Sequence, residues 1–275
     1  MYRPSDLHKL LNELGAHPKK SLSQNFLIDG NIIRKIISAA GVLSDDVVLE
    51  IGPGPGALTQ ELLNRGALVI AVEKDRVLAE HLSRLPGDLT VYNDDILDFD
   101  FSDKLDPCLK GRRAKVIANL PYHITTPIIT KLVKMHDRLD SLVIMVQHEV
   151  AARMTALPGG KDYGSLTVFL NFHCHAEYAF KVKRTCFYPV PKVDSAVVRL
   201  QLKEPPAISN PEQFEKIVRK AFEQRRKMLR KSLSEIFSPE AIIRALEENG
   251  LNPQARPEEL SLSELIDFFE ALSSP

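Results

Sequence analysis

The stretch Val47-Val48-Leu49-Glu50-Ile51-Gly52-Pro53-Gly54-Pro55-Gly56-Ala57-Leu58-Thr59 limits what this chain can fold into more than any other. An apolar run short enough for a buried strand stops at three alternate glycines, and Leu58, Leu62 and Leu63 then recur at helical spacing. Glycine adopts backbone angles barred to other residues and lets a ligand lie close to the main chain. Strand, glycine turn and helix make the first unit of an open α/β sheet, with the ligand at the strand's carboxyl end. The spacing is Gly-x-Gly-x-Gly, one residue short of the dinucleotide fingerprint Gly-x-Gly-x-x-Gly.

The pattern continues downstream. Strands are expected at Val47–Ile51, Leu68–Val72, Leu89–Tyr92, 115–118 and 142–147, with helices at Ala57–Asn64, 76–84 and 127–135 between them. Such alternation implies a parallel sheet with right-handed crossovers. Ahead of it, 6–14 and 31–40 have helical stripes closed by Gly15 and Gly41. Behind it, 166–173, 176–183 and 196–202 read as further strands, forming an antiparallel edge. Lys203-Glu204-Pro205-Pro206 breaks the pattern, giving a Rossmann-like domain over 1–204 and a helical domain over 205–275, with helices at 211–233, 239–249 and 261–272.

Composition excludes several classes. Lys plus Arg and Asp plus Glu both total 36, so no global positive field marks a nucleic-acid partner, although a neutral sum can hide a basic face. Cys108, Cys174 and Cys186 form no spaced framework and read as reduced thiols of a cytosolic protein. The first twenty residues lack the apolar core of a signal peptide, and no run approaches the ~20 apolar residues of a membrane span. The expectation is a cytoplasmic monomer without a membrane partner.

Glu73 closes the second strand, 21 positions after Gly52, where its two oxygens can take both ribose hydroxyls of an adenosine. An exposed strand-end carboxylate is the plain alternative. At the third strand's end, Asp95 can accept from the adenine amine while Ile96 packs on the ring. A pyrophosphate would prefer the longer glycine loop, so these ends favour S-adenosylmethionine over a nicotinamide dinucleotide. The fourth strand ends in Asn119-Leu120-Pro121-Tyr122. A ring-conjugated exocyclic amine is a poor nucleophile. The Asn119 amide oxygen and the Leu120 carbonyl accepting its two N–H groups would turn its lone pair toward a sulfonium methyl. Tyr122 offers a face on which the base stacks. An ordinary Asn–Pro turn is the other reading. Thr185 to Pro191 is a proline-stiffened loop whose Phe187 either stacks on an extruded base or folds back onto the sheet.

In order, Gln24-Asn25-Phe26-Leu27, Glu50 to Gly56, Glu73, Asp95-Ile96, Asn119 to Tyr122 and Phe187-Tyr188-Pro189-Val190-Pro191 resemble the ribosomal RNA adenine dimethyltransferases. The match runs from about Lys19 to the C-terminus and is nearest the bacterial branch that dimethylates two adjacent adenosines near the 3′ end of small-subunit RNA. The resemblance implies a class I methyltransferase sheet, S-adenosylmethionine as donor and no metal. It implies that Asn25 and Leu27 contact the methionine and ribose end, that Gly52 and Gly54 line the cofactor, and that Glu73, with Lys74 beside it, holds the ribose. Asp95 and Ile96 would then hold the adenine and Asn119 the reacting amine, with Phe187 stacking opposite Tyr122. Pro55 in the glycine turn and His123 after the tyrosine depart from the usual leucine and amide.

Cations cluster at Lys181, Lys183 and Arg184, and at Arg225, Arg226, Lys227, Arg230 and Lys231. A solvated helix face would account for the second group; phosphate contacts to RNA or to a ribosomal particle are the reading preferred here. His173-Cys174-His175 lacks the further ligands a zinc site needs. Ser165 and Ser195 lack the nucleophile-elbow context. The rival functions are a large-subunit RNA methyltransferase conferring antibiotic resistance, a non-catalytic assembly or transcription factor with the same fold, and a nicotinamide dehydrogenase.

Overall fold

The strands run in chain order as β1 (Phe26–Leu27), β2 (Val47–Ile51), β3 (Leu68–Val72), β4 (Leu89–Tyr92), β5 (Ala114–Asn119), β6 (Leu139–Gln147), β7 (Cys174–Val182), β8 (Phe187–Tyr188) and β9 (Ser195–Leu202). They are taken from a computed structural model that describes residues 4–224 and 227–273, without the side chain of Lys20. Seven of them form one sheet in the order β4-β3-β2-β5-β6-β9-β7, while β1 and β8 pair separately. Pairing is parallel from β4 through β6, and β9 lies antiparallel on β6. Val47 to Ile51 are buried throughout, as a central strand with both faces covered demands. Chain order reverses between β2 and its neighbour β5, and a crevice opens outside the carboxyl ends of strands at such a switch point.

The helices at Gly30–Ala40, Ala57–Asn64, Arg76–Leu82 and Thr125–Leu132 accompany this sheet. Asp29 caps the first, accepting from the N–H groups of Asn31 and Ile32, and Gly41 ends it with φ 55°.

The chain divides into two compact units, one of residues 1–151 and 176–203, the other of 152–175 and 204–275. The break at Lys203–Pro206 is therefore one crossing of several, and residues 152–175 belong with the C-terminal helices rather than with the first 204 residues. Within them, 166–173 is not a strand: Ser165–His173 is an α-helix. A short apolar run with β-branched and aromatic residues has no decisive period, so its partners decide. Val168 and Phe172, four apart, enter the apolar cluster of Phe214, Leu246 and Phe269, and the Phe172 and Phe214 ring centroids lie 5.4 Å apart. The expected helix over 211–233 is also divided, into Pro211–Glu223 and Leu229–Ser232. Its buried face (Phe214, Ile217, Val218, Ala221) would continue onto polar Gln224, which stands at the helix end. His173 ends a helix and Cys174 begins β7, so the three residues are not one extended run. No group of metal-ligating residues occurs among the described residues, nor is any described helix long and apolar enough to cross a membrane.

Candidate active site

The turn after β2 is built on three left-handed glycines, Gly52, Gly54 and Gly56, with φ of 64°, 60° and 89°. Gly52 N–H donates to the Val72 carbonyl at 3.0 Å, tying the turn to the next strand end. There stands Glu73, buried, its Oε2 accepting from Gly54 N–H at 2.9 Å and its Oε1 from Asp75 N–H at 2.8 Å. Burial raises the Glu73 pKa, against the pull of these main-chain donors. Beneath the turn, Glu50 is fully buried, which pushes its pKa up to about 8; Thr59 counters the rise and the Glu73 charge adds to it.

At the end of β4, Asp95 Oδ1 accepts from Leu97 N–H at 2.9 Å and Oδ2 from Lys74 Nζ at 2.6 Å. Burial opposes its ionisation, but the Lys74 and Leu97 bonds and the charges of Lys74 and Lys131 prevail, holding the carboxyl below its ordinary range. Ile96 beside it is 5% exposed.

Asn119 ends β5, and its Nδ2 donates to the Asn25 carbonyl at 2.9 Å. The Tyr122 hydroxyl lies 2.7 Å from Ser195 Oγ, and burial raises its pKa. His123 Nδ1 meets Ser23 Oγ at 2.9 Å. Residues 19–25 form a strap along this edge. Lys19 Nζ is 2.7 Å from Asp75 Oδ2, and Lys19 N–H donates to Gln24 Oε1 at 2.7 Å.

Asn25, Gly52, Gly54, Glu73, Lys74, Asp95, Ile96, Asn119, Leu120 and Tyr122 line one cavity. Two of the residues expected at the site stand apart from it. Leu27 is buried and borders a smaller hollow beside the glycine turn. Phe187 is 1% exposed within the main core, paired with Leu27 in the β1–β8 ladder, and is not among the residues that line the cavity. Sequence reasoning gave Ser23 no role and weighed Ser195 only as a nucleophile, not as a partner of Tyr122. The unusual His123 was a signal for the first, but Ser195 meets Tyr122 across 73 positions and had none. Of the cations, Lys181 pairs with Asp194 at 2.9 Å, Lys183, Arg184, Lys227 and Lys231 are exposed and Arg230 is half-buried. Arg225 and Arg226 lie outside the described residues.

Residues 15–274 match the ribosomal RNA adenine dimethylase family. A ribosomal RNA small subunit methyltransferase A of Protochlamydia amoebophila is 56% identical over 100% of this chain and 98% of its own length. That of Chlamydia caviae is 46% identical over 98% of both. Among solved structures, a dimethyladenosine transferase from Plasmodium falciparum aligns with TM-score 0.73 and 28% identity, covering 88% of this chain and 95% of that one. The 23S rRNA methyltransferase ErmE aligns with TM-score 0.68 and 30% identity, covering 91% and 100%.

Proposed function

Because the chain belongs to the ribosomal RNA adenine dimethylase family, we propose that it dimethylates N6 of two adjacent adenosines near the 3′ end of small-subunit ribosomal RNA. The observation that carries this reading is the Asn119 amide. With its nitrogen committed to the Asn25 carbonyl, its oxygen is the end left to receive an N–H, in the same cavity that Glu73 and Asp95 line.

The residues fit S-adenosylmethionine. Each Glu73 oxygen holds one main-chain donor and keeps a lone pair for a ribose hydroxyl. The glycine floor matches a ligand laid against the backbone, and a Cβ on Gly54 would stand 3.0 Å from the Phe26 ring. Asp95 and Ile96 take the adenine, and Asn25, Gly52 and Lys74 border the remainder. When bound, the cofactor supplies an electrophilic sulfonium methyl. Asn119 and the Leu120 carbonyl accept from the target amine and localise its lone pair. Tyr122, its ring anchored by Ser195, gives the base a face to stack on, and the displaced proton passes to water. No metal enters this scheme.

The helical unit, with Lys227, Arg230 and Lys231, and the loop cations Lys183 and Arg184 would contact RNA phosphates or the ribosomal particle. Lys181 joins them only by leaving Asp194. Arg225 and Arg226 complete the expected cluster by sequence. Action as a monomer, in the cytoplasm where ribosomal particles assemble, belongs to the same proposal. Identity of 46–56% to small-subunit enzymes against 30% to ErmE favours the small-subunit target over the large.

The test is mass spectrometry of RNA from naked and particle-bound substrates incubated with protein and methyl donor. Dimethyladenosine in small-subunit RNA is expected. Methylation of large-subunit RNA alone, or none in either, would overturn the assignment.

A further inference from the structure

Lys131 lies on the helix Thr125–Leu132, directly after the Asn119–Tyr122 motif. Its half-buried ammonium is committed to main-chain oxygens, and its charge also acts on the Asp95 carboxylate. It donates to three main-chain oxygens of one loop: Leu97 at 2.6 Å, Ile96 at 3.2 Å and Phe99 at 3.5 Å. It also stands 5.1 Å from the centroid of the Phe101 ring. This loop begins at Asp95, whose Oδ1 is fixed by the Leu97 N–H of the same turn. The start of the helix is fastened to the motif in its turn, since Thr125 Oγ1 and Ile124 N–H both donate to the Pro121 carbonyl, at 3.1 and 3.2 Å. Main-chain carbonyls gathered around one cation are displaced together when that cation is lost, because each must find another donor.

We propose that Lys131 is a positioning residue for the adenine end of the cofactor, clamping the Asp95–Phe99 loop to the helix that follows the amine-binding motif. The proposal rests on the reading of Asp95 as the acceptor of the adenine amine. If it holds, the grip on the donor nucleoside and the grip on the target base share one strut. Lys131 would then affect recognition of the adenine amine rather than affinity in general.

Calorimetry with the full chain tests this, using S-adenosylhomocysteine and S-inosylhomocysteine, which carries a carbonyl in place of the exocyclic amine. The parent protein should prefer the adenosyl compound. Lys131→Met should bind that compound about tenfold more weakly, the cost of losing hydrogen bonds to a charged donor, while its affinity for the inosyl compound stays within about twofold. Lys131→Arg, which keeps charge and several donors, should restore most of the preference. Should Lys131→Met fail to fold, Lys131→Gln keeps one neutral donor and gives the same reading at smaller amplitude. A Lys131 variant that retains the parental preference, or that weakens both nucleosides equally, overturns the positioning role. A parent protein indifferent to the amine overturns the reading of Asp95 itself, and this role with it.

Discussion

Along the ends of β2, β3 and β4 the cleft is fixed mainly by main-chain groups, with the N–H groups of Gly54 and Asp75 on Glu73 and that of Leu97 on Asp95. Across the cleft the fixing is done by single side chains over long sequence separations, Asn119 on the Asn25 carbonyl, Tyr122 on Ser195 and His123 on Ser23. A backbone-built wall keeps its shape as long as the strands keep their register. A wall of isolated side-chain bonds, each worth about 1 kcal/mol net, changes with one substitution. The contrast fits a proposed division of labour in which the constant donor meets the first wall and the variable target meets the second.

The largest expected effect tests that division at its sharpest point. Asn119→Ala should lower single-turnover methyl transfer about 10³-fold, as loss of one polarising group at a reacting centre does, while cofactor affinity changes less than about twofold. A large loss of cofactor binding in this variant would show that the two walls are not separate. Next, Glu73→Ala should raise the dissociation constant of S-adenosylhomocysteine about 10–100-fold by calorimetry, since two hydroxyl bonds to a charged acceptor are lost. An unaltered constant would remove Glu73 from the ribose.

The smallest effect probes what lies beneath the first wall. The folded Glu50 carboxyl titrates at about 8 against an ordinary 4.5, so the folded protein keeps a proton that the unfolded chain releases. Its contribution to stability is complete below 4.5 and is lost as pH rises toward 8. Glu50→Gln, uncharged at every pH, should therefore gain on the parent as pH rises from 5 to 8, by several °C in Tm, since each pH unit between the two pKa values is worth up to about 1.4 kcal/mol. A Tm difference that stays flat across that interval would mean Glu50 is already ionised in the fold.

The strand–turn–helix units of the sheet were legible because their signals are local: apolar runs at β2, β3 and β4, glycines at 52, 54 and 56, and an acid at each following strand end. What escaped was decided by partners far along the chain. Ser165–His173 carries residues suited to a strand and is helical because Phe214 and Phe269 receive it. Phe187 reads either as a stacking aromatic or as one folded back onto the sheet, and its burial is settled only by Leu27, 160 positions earlier, which pairs with it. Ser195 has no nucleophilic context of its own and matters through Tyr122.

The interleaving of 152–175 with the C-terminal helices bears on how this protein can be dissected. Cleavage after Lys203 would strip Tyr163, Val168 and Phe172 of the greasy partners they share with Phe214 and Leu265, leaving a sticky stump on the catalytic piece. The released tail would lack its inner helix and would be no more self-sufficient. Separable pieces would call for excising 152–175 with the tail and rejoining 151 to 176, a re-wiring of the polypeptide rather than a single snip.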